Sequence, residues 1–292
     1  RAVRDAFVGR CSIDFYGELA QYTHKLGMLF SASAFGLRSA DELRQLNPAF
    51  IKIASPELNH FPLLERVASF GLPVILSSGV SMLGDIERAI RCLETCGLPA
   101  DMRALLHCVT AYPAPETDYN TAVLQSLSAL FNSPVGISDH SLDPAAVPIA
   151  GLLCGACIIE KHICLSRNDA GLDDPVALEP AQFLRMSSIV RNLAGKSNED
   201  IFNAAETYGY SKDFLRHIIG GGEKKLAAAE KENYGKTNRS LHYVKDLQKG
   251  TVLKNSDIAV LRTEKNLTAG ESPEYLHYFV GAVLQKEVKG GA

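Results

Sequence analysis

Residues 134–140 read PVGISDH and residues 157–162 read CIIEKH, with an apolar helical window over 143–153 between them. Each run is short, rich in β-branched residues, and ends on polar, titratable side chains. Strand, helix and strand at this spacing form a βα unit, whose strands run parallel. The same pattern extends outward to MLFSAS (28–33), FIKIAS (50–55), PVILSS (73–78) and RALLHC (103–108). Helical windows lie near 39–47, 60–70, 81–96, 119–132 and 180–194. The first carries Ser39-x-x-Glu42, which reads as a capping box, and stops before Pro48. Six βα units in a row predict an α/β fold with a parallel sheet under helices. A closed (β/α)8 barrel needs eight such units.

The chain has 292 residues, 46% hydrophobic and 22% charged. That is enough for one large domain, or one large and one small. Lys+Arg 30 against Asp+Glu 33 gives a net charge of -3, and no basic stripe is interleaved with aromatics. This composition argues against a nucleic-acid partner. No apolar run approaches the roughly 20 residues that cross a bilayer, and RAVRDAFVGR (1–10) lacks a signal-peptide core. The reading is therefore a cytoplasmic protein without a membrane partner. Seven cysteines, an odd number scattered on apolar runs, suit reduced thiols. Cys154-Gly-Ala-Cys157 has redox or zinc spacing, but no second pair follows, and core packing is the better reading.

Polar residues gather at the C-terminal ends of the predicted strands: Lys52, Ser55, Ser77, His107, Ser138, Asp139, His140, Glu160 and His162. Parallel α/β folds place their active sites at those ends. His140 and His162 lie one βα unit apart, so two imidazoles meet there. They read either as a divalent-metal pair with open positions or as hydrogen-bonded structural residues. Asp139 and Glu160 read as partners orienting them, or as salt bridges at the sheet end. Lys52 in an apolar strand needs an anion, either a ligand or a buried partner such as Glu57. Together with the strand-end serines it describes an anionic pocket.

The runs FSASAFGLRSADEL, IKIASPELNHFPLL, PVILSSGVSML, LLHCVTAYPAP, VGISDHS and IIEKHICLSRNDAGLDD, in this order, resemble the sialic acid synthase family. RSLHYVKDLQKGTVLKNSDIAVLR resembles that family's C-terminal antifreeze-like (SAF) domain. The resemblance implies a TIM barrel over residues 1–195 that lacks its first two βα units. A linker over 196–238, with some helix, and a small β-rich SAF domain over 239–292 follow. The chain is expected to be part of a longer protein.

The implied reaction joins phosphoenolpyruvate to an N-acylated mannosamine-type sugar, giving a nonulosonic acid and phosphate. His140 and His162 would hold Mn2+ or Mg2+. Lys52, Ser55, Ser77 and Ser138 would hold phosphoenolpyruvate. Phe35, Glu57, Thr110, Tyr112 and Asp173 would border the sugar, with Glu57 and Asp173 as candidates for proton handling. Arg262 would arrive from the partner subunit of a domain-swapped homodimer. Ala32-Ser33-Ala34-Phe35-Gly36 departs from the family's Ser-Thr-Pro-Phe-Asp, which bears on sugar specificity. The competing readings are a catalytically silent sugar-binding or assembly homologue and a metal-dependent hydrolase on the same barrel.

Overall fold

The computed structural model describes residues 12–263 and 266–292. Residues 1–11, read as part of the helix after a second strand and including Cys11, lie outside the described residues. Five parallel strands, β1 (Ile51–Ile53), β2 (Val74–Ser77), β3 (Arg103–Cys108), β4 (Val135–Asp139) and β5 (Ile158–Lys161), form one sheet in sequential order. Neighbours in sequence are neighbours in the sheet, as consecutive βα units require. The result is half of a TIM-like barrel.

Helices α1 (Ile13–Lys25) and α2 (Leu37–Gln45) precede β1; α3 (Phe61–Ala68), α4 (Leu83–Thr95), α5 (Val123–Phe131) and α6 (Ala146–Leu153) alternate with the strands, and α7 (Pro180–Leu193) follows β5. Ile51, Ile53, Leu105 and Ile137 are fully buried and join the helices in one core. Helix α6 is apolar nearly all round and almost entirely buried, which explains the absence of an amphipathic period there. No helix among the described residues is long and apolar enough to cross a membrane.

Two sequence expectations change. The strand expected at 28–33 shrinks to one parallel bridge, Ser33 with Lys52. Met28 and Leu29 are exposed, so nothing supports a strand there; Ser31 Oγ instead donates to the Phe50 carbonyl, 2.6 Å. The capping box is absent, because α2 starts earlier, at Leu37 after Gly36. Ser39 Oγ accepts from Phe35 N–H, and Glu42 pairs with Arg38. Cys154 packs in the core, but Cys157 is exposed, its thiol donating to the Val135 carbonyl.

The segment 196–238 carries α8 (Asn198–Thr207) and α9 (Lys212–Ile219), each opened by a serine whose hydroxyl accepts a backbone N–H two residues into the helix. Ile201, Ala205, Leu215 and Ile218 pack into the barrel core. Beyond it, β6 (Arg239–Tyr243) and β7 (Ile258–Arg262) pair antiparallel. Leu247, Leu253 and Leu284 form a small core of their own.

One buried pair anchors the site end of the sheet. Lys161 Nζ lies 2.6 Å from Asp139 Oδ2, both side chains without exposed surface, and it also donates to the Ser141 carbonyl at 2.7 Å. Lys161→Met would leave Asp139 charged and unpaired in the interior. The expected loss is about 3–5 kcal/mol, read as a lowered urea midpoint at unchanged slope. A midpoint within error of wild type would contradict this account of the pair.

Candidate active site

Strand register decides which side chains meet. Lys52 pairs with Ile75, Ser77 with Leu106, Cys108 with Ser138, and Ser138 with Glu160. Paired residues share a face and alternate residues return to it. Lys52, Ser77, Ser138 and Glu160 therefore share the inner face, and His140 and His162 continue it beyond the strand ends. Asp139, Lys161 and His107 fall on the helix-packed face. That parity separates the two acids which precede the histidines: Asp139 belongs to the buried pair, and only Glu160 is inside. His107 is structural as well, its Nε2 donating to the Tyr119 carbonyl at 2.6 Å. Burial, then the nearby Lys224 charge, brings His107 down to about 3 against the pull of that carbonyl.

Lys52 Nζ donates to Ser77 Oγ at 2.8 Å and to the Ile53 carbonyl at 3.1 Å, and stands 3.6 Å from Glu160 Oε2. Ser138 Oγ donates to Glu160 Oε1, 2.6 Å. Burial lowers the Lys52 pKa, with Glu160 opposing it. The carboxylate nearest the lysine is thus Glu160 and not Glu57, because Glu160 shares its face. Ser55, expected beside Lys52, is buried, and its Oγ accepts from Gly79 N–H at 3.0 Å. A Cβ at Gly79 would overlap Thr110 Oγ1 and Ser55 Oγ, so only glycine lets the β2 loop approach so closely.

The two histidine rings lie 5.3 Å apart, centroid to centroid. His140 Nδ1–H donates to the Val109 carbonyl at 2.9 Å, which orients the ring and turns Nε2 toward the Tyr112 hydroxyl. Tyr112 stacks on His140 at 4.3 Å, its hydroxyl 3.3 Å from Nε2. Burial opposes charge on His140, yet Cys108 and the Val109 carbonyl hold it up to about 9. His162 moves down through burial and then the His140 charge. Asp173 Oδ2 is 3.9 Å from His162 Nδ1 and half-exposed. Among the described residues no three His, Cys, Asp or Glu side chains converge on one point. The imidazoles of His140 and His162 would fit a divalent ion that keeps open positions for water and ligand oxygens.

Glu57 is a different kind of group from the one the sequence suggests. Its carboxylate, with no exposed surface, takes Arg239 Nη2 at 2.7 Å and Nε at 2.8 Å, Arg262 Nη2 at 2.9 Å, and His60 Nδ1 at 3.0 Å. Burial would raise its pKa, but the bonds from His60, Arg239 and Arg262 hold it at about 2. In this arrangement its carboxylate is enclosed by Arg239, Arg262 and His60. Within this chain Arg262 itself reaches Glu57. Asn59 Nδ2 donates to the Arg239 carbonyl and its Oδ1 accepts from Arg239 N–H, seating β6 on the loop after β1.

Arg262 also lies 5.4 Å over the Phe35 ring, and Arg239 Nη2 donates to the Phe35 carbonyl. Phe35, Tyr112, Asp173 and Arg262 are thus all placed at the rim. Arg239 was missed from the sequence. The signal is its register: Arg239 stands directly opposite Arg262, and two facing guanidiniums require an anion between them.

Residues 10–200 match the NeuB family and residues 238–292 the SAF domain. Among curated proteins, the N,N'-diacetyllegionaminic acid synthase of Campylobacter jejuni is 30% identical over 272 residues, covering 93% of this chain and 73% of that one. The N-acetylneuraminate-9-phosphate synthase of Drosophila melanogaster is 30% identical over 88% of this chain and 69% of its own. The crystal structure of the Bacillus subtilis spore coat polysaccharide biosynthesis protein SpsE superposes with a TM-score of 0.85 at 30% identity, covering 96% of this chain and 75% of that one. Both motif-bearing strands fall within the matched span, and the chain belongs to the NeuB family.

Proposed function

We propose that the protein is a phosphoenolpyruvate-dependent transferase that condenses phosphoenolpyruvate with an N-acylated mannosamine-type sugar, giving a nonulosonic acid and inorganic phosphate in a metal-dependent reaction. The relatives named above are synthases of such acids. The observation that carries the reading to this chain is Lys52: a buried ammonium on the inner face, bonded to Ser77 and facing Ser138 across Glu160. A cation held there at the expense of burial suits an anionic substrate.

C3 of phosphoenolpyruvate attacks the aldehyde carbon of the open-chain sugar; the enol π pair becomes the new carbon–carbon bond, and the carbonyl π pair moves to the aldehyde oxygen, which takes up a proton and becomes a hydroxyl. The positive charge left at C2 is taken up by water, which adds there and loses a proton. The resulting tetrahedral intermediate expels phosphate by breaking its C2–O bond, leaving a ketone. Lys52 and the hydroxyls of Ser77 and Ser138 hold the phosphate or carboxylate oxygens in place. His140 and His162 would hold Mn2+ or Mg2+, which when bound supplies Lewis-acid polarisation of the aldehyde oxygen. Phe35, Thr110, Tyr112 and Arg262 border the sugar. Asp173, half-exposed beside His162, would accept the proton. Glu57 contributes by fixing Arg262.

Phosphoenolpyruvate carrying 18O at its bridging position tests the sequence of bonds. In the presence of an acceptor sugar the label is expected in the released phosphate, visible as an isotope shift by 31P NMR. Label retained in the organic product would contradict C–O cleavage, and release without sugar would point to a hydrolase.

A further inference from the structure

The segment that joins the barrel to the SAF domain is stitched down along its length. Thr121 N–H and Ala122 N–H donate to the carbonyls of Ile218 and Ile219, at 3.0 and 2.9 Å. Asn120 accepts from Gly222 N–H and donates to the Glu223 carbonyl, each at 2.8 Å. At its far end Glu230 is 1% exposed and bonds to two separate site loops. Its Oε1 accepts from Val80 N–H at 2.7 Å and from Thr110 N–H at 2.8 Å. Its Oε2 accepts from Ala227 N–H at 3.1 Å. Asn238 Nδ2 holds the Val80 carbonyl at 3.3 Å, so the segment grips Val80 from both sides.

Val80 is the residue that needs gripping. Its φ is 47°, a left-handed conformation that a β-branched side chain avoids. Such a backbone persists only where its surroundings impose it. It directly follows Gly79, whose N–H bonds Ser55, and lies three residues after Ser77, which bonds Lys52. Thr110 opens the loop that carries Tyr112 onto His140.

We propose that Glu230 is a positioning residue, a clamp that ties the loop after β2 to the loop after β3 and so sets Ser77 and Tyr112 for the reaction; in its functional part this rests on the reading given above. Seating the connecting segment and shaping the site are then one event. The carboxylate is suited to the task because it has several acceptor positions, whereas an amide in its place keeps one oxygen for Val80 and Thr110 and presents an N–H group to the Ala227 donor.

Site-resolved hydrogen exchange and steady-state kinetics on the full chain test the clamp. Glu230→Ala is expected to speed exchange at the Val80 and Thr110 amides at least about tenfold, with β3 and β4 unchanged. It is also expected to lower kcat/KM for phosphoenolpyruvate on the order of 10²-fold. Glu230→Gln should recover most of both, while exchange at Ala227 rises. Val80 and Thr110 remaining protected in the alanine variant would overturn the clamp, and both amides opening with unchanged kinetic constants would overturn its positioning role. If the alanine variant does not fold, the glutamine variant decides: protected Val80 and Thr110 beside a faster Ala227 supports the assignment, and equal change at all three overturns it. A wild-type protein that releases no phosphate would sink the functional reading, while the exchange measurements still judge the clamp.

Discussion

Lys52→Met is expected to lower phosphoenolpyruvate-dependent phosphate release by 10²- to 10³-fold on the order-of-magnitude scale of a lost preorganised donor, while the fold keeps its stability within about 1 kcal/mol. The two halves of this expectation come from the same geometry. Lys52 is 8% exposed, and the carboxylate nearest to it stands 3.6 Å away, beyond hydrogen-bond length. Burial therefore costs this ammonium more than its neighbours return. Methionine has a similar stem and no charge, and Glu160, 42% exposed, stays hydrated when the lysine is gone. Removing the cation thus leaves no buried orphan charge, unlike the Lys161 case. Kinetics and urea unfolding on one preparation check both halves. A variant that loses several kcal/mol but keeps phosphate release would make Lys52 a structural residue.

Glu57→Gln should destabilise the protein by about 3 kcal/mol at pH 7. A carboxyl held at about 2, against an ordinary value near 4.3, corresponds to about that much free energy. The sign follows from the depressed pKa. The stabilisation is fully present above about pH 4.3, where the unfolded chain is ionised as well, and fades as pH falls toward 2 and the native carboxylate is protonated. Wild type and variant should therefore differ most at pH 7 and converge below about pH 4. The physical cause is the set of bonds from His60, Arg239 and Arg262 to the carboxylate, which the neutral amide weakens. Phosphate release should fall with it, because Arg262 loses its bonds to Glu57. A stability difference that stays constant from pH 7 to pH 3 would contradict the ion-pair hub.

The strands and their order were legible because parallel buried strands carry a strong β-branched signal over four to six residues. The sequence groups Lys52, Ser77, His107, Ser138, Asp139 and Glu160 at the strand ends, and only the register separates Asp139 and His107 from the face that Lys52, Ser77, Ser138 and Glu160 share. Other features were not readable locally. The run 28–33 looks like a strand, but pairing is a property of neighbours, and Met28 and Leu29 find none. Segment 196–238 is mixed in charge and rich in glycine, so its tertiary anchoring, and with it Glu230, has no periodic signature. Glu57 was attached to Lys52 because the two are close in sequence. Besides His60, its arginine partners lie 182 and 205 residues away, and the fold of β6 and β7 back over the barrel brings them in. The same fold brings Arg262 to Glu57 within the chain.

The measurement that bears most directly on the account is release of phosphate from phosphoenolpyruvate by the protein, across N-acetylmannosamine, its 6-phosphate and diacetamido-trideoxyhexose acceptors, with manganese and then with chelator. The account predicts release that requires one of these sugars, stops when the metal is removed, and returns when it is restored. Folded, manganese-binding protein that consumes no phosphoenolpyruvate with any of them would contradict it and leave a sugar-binding homologue as the better reading.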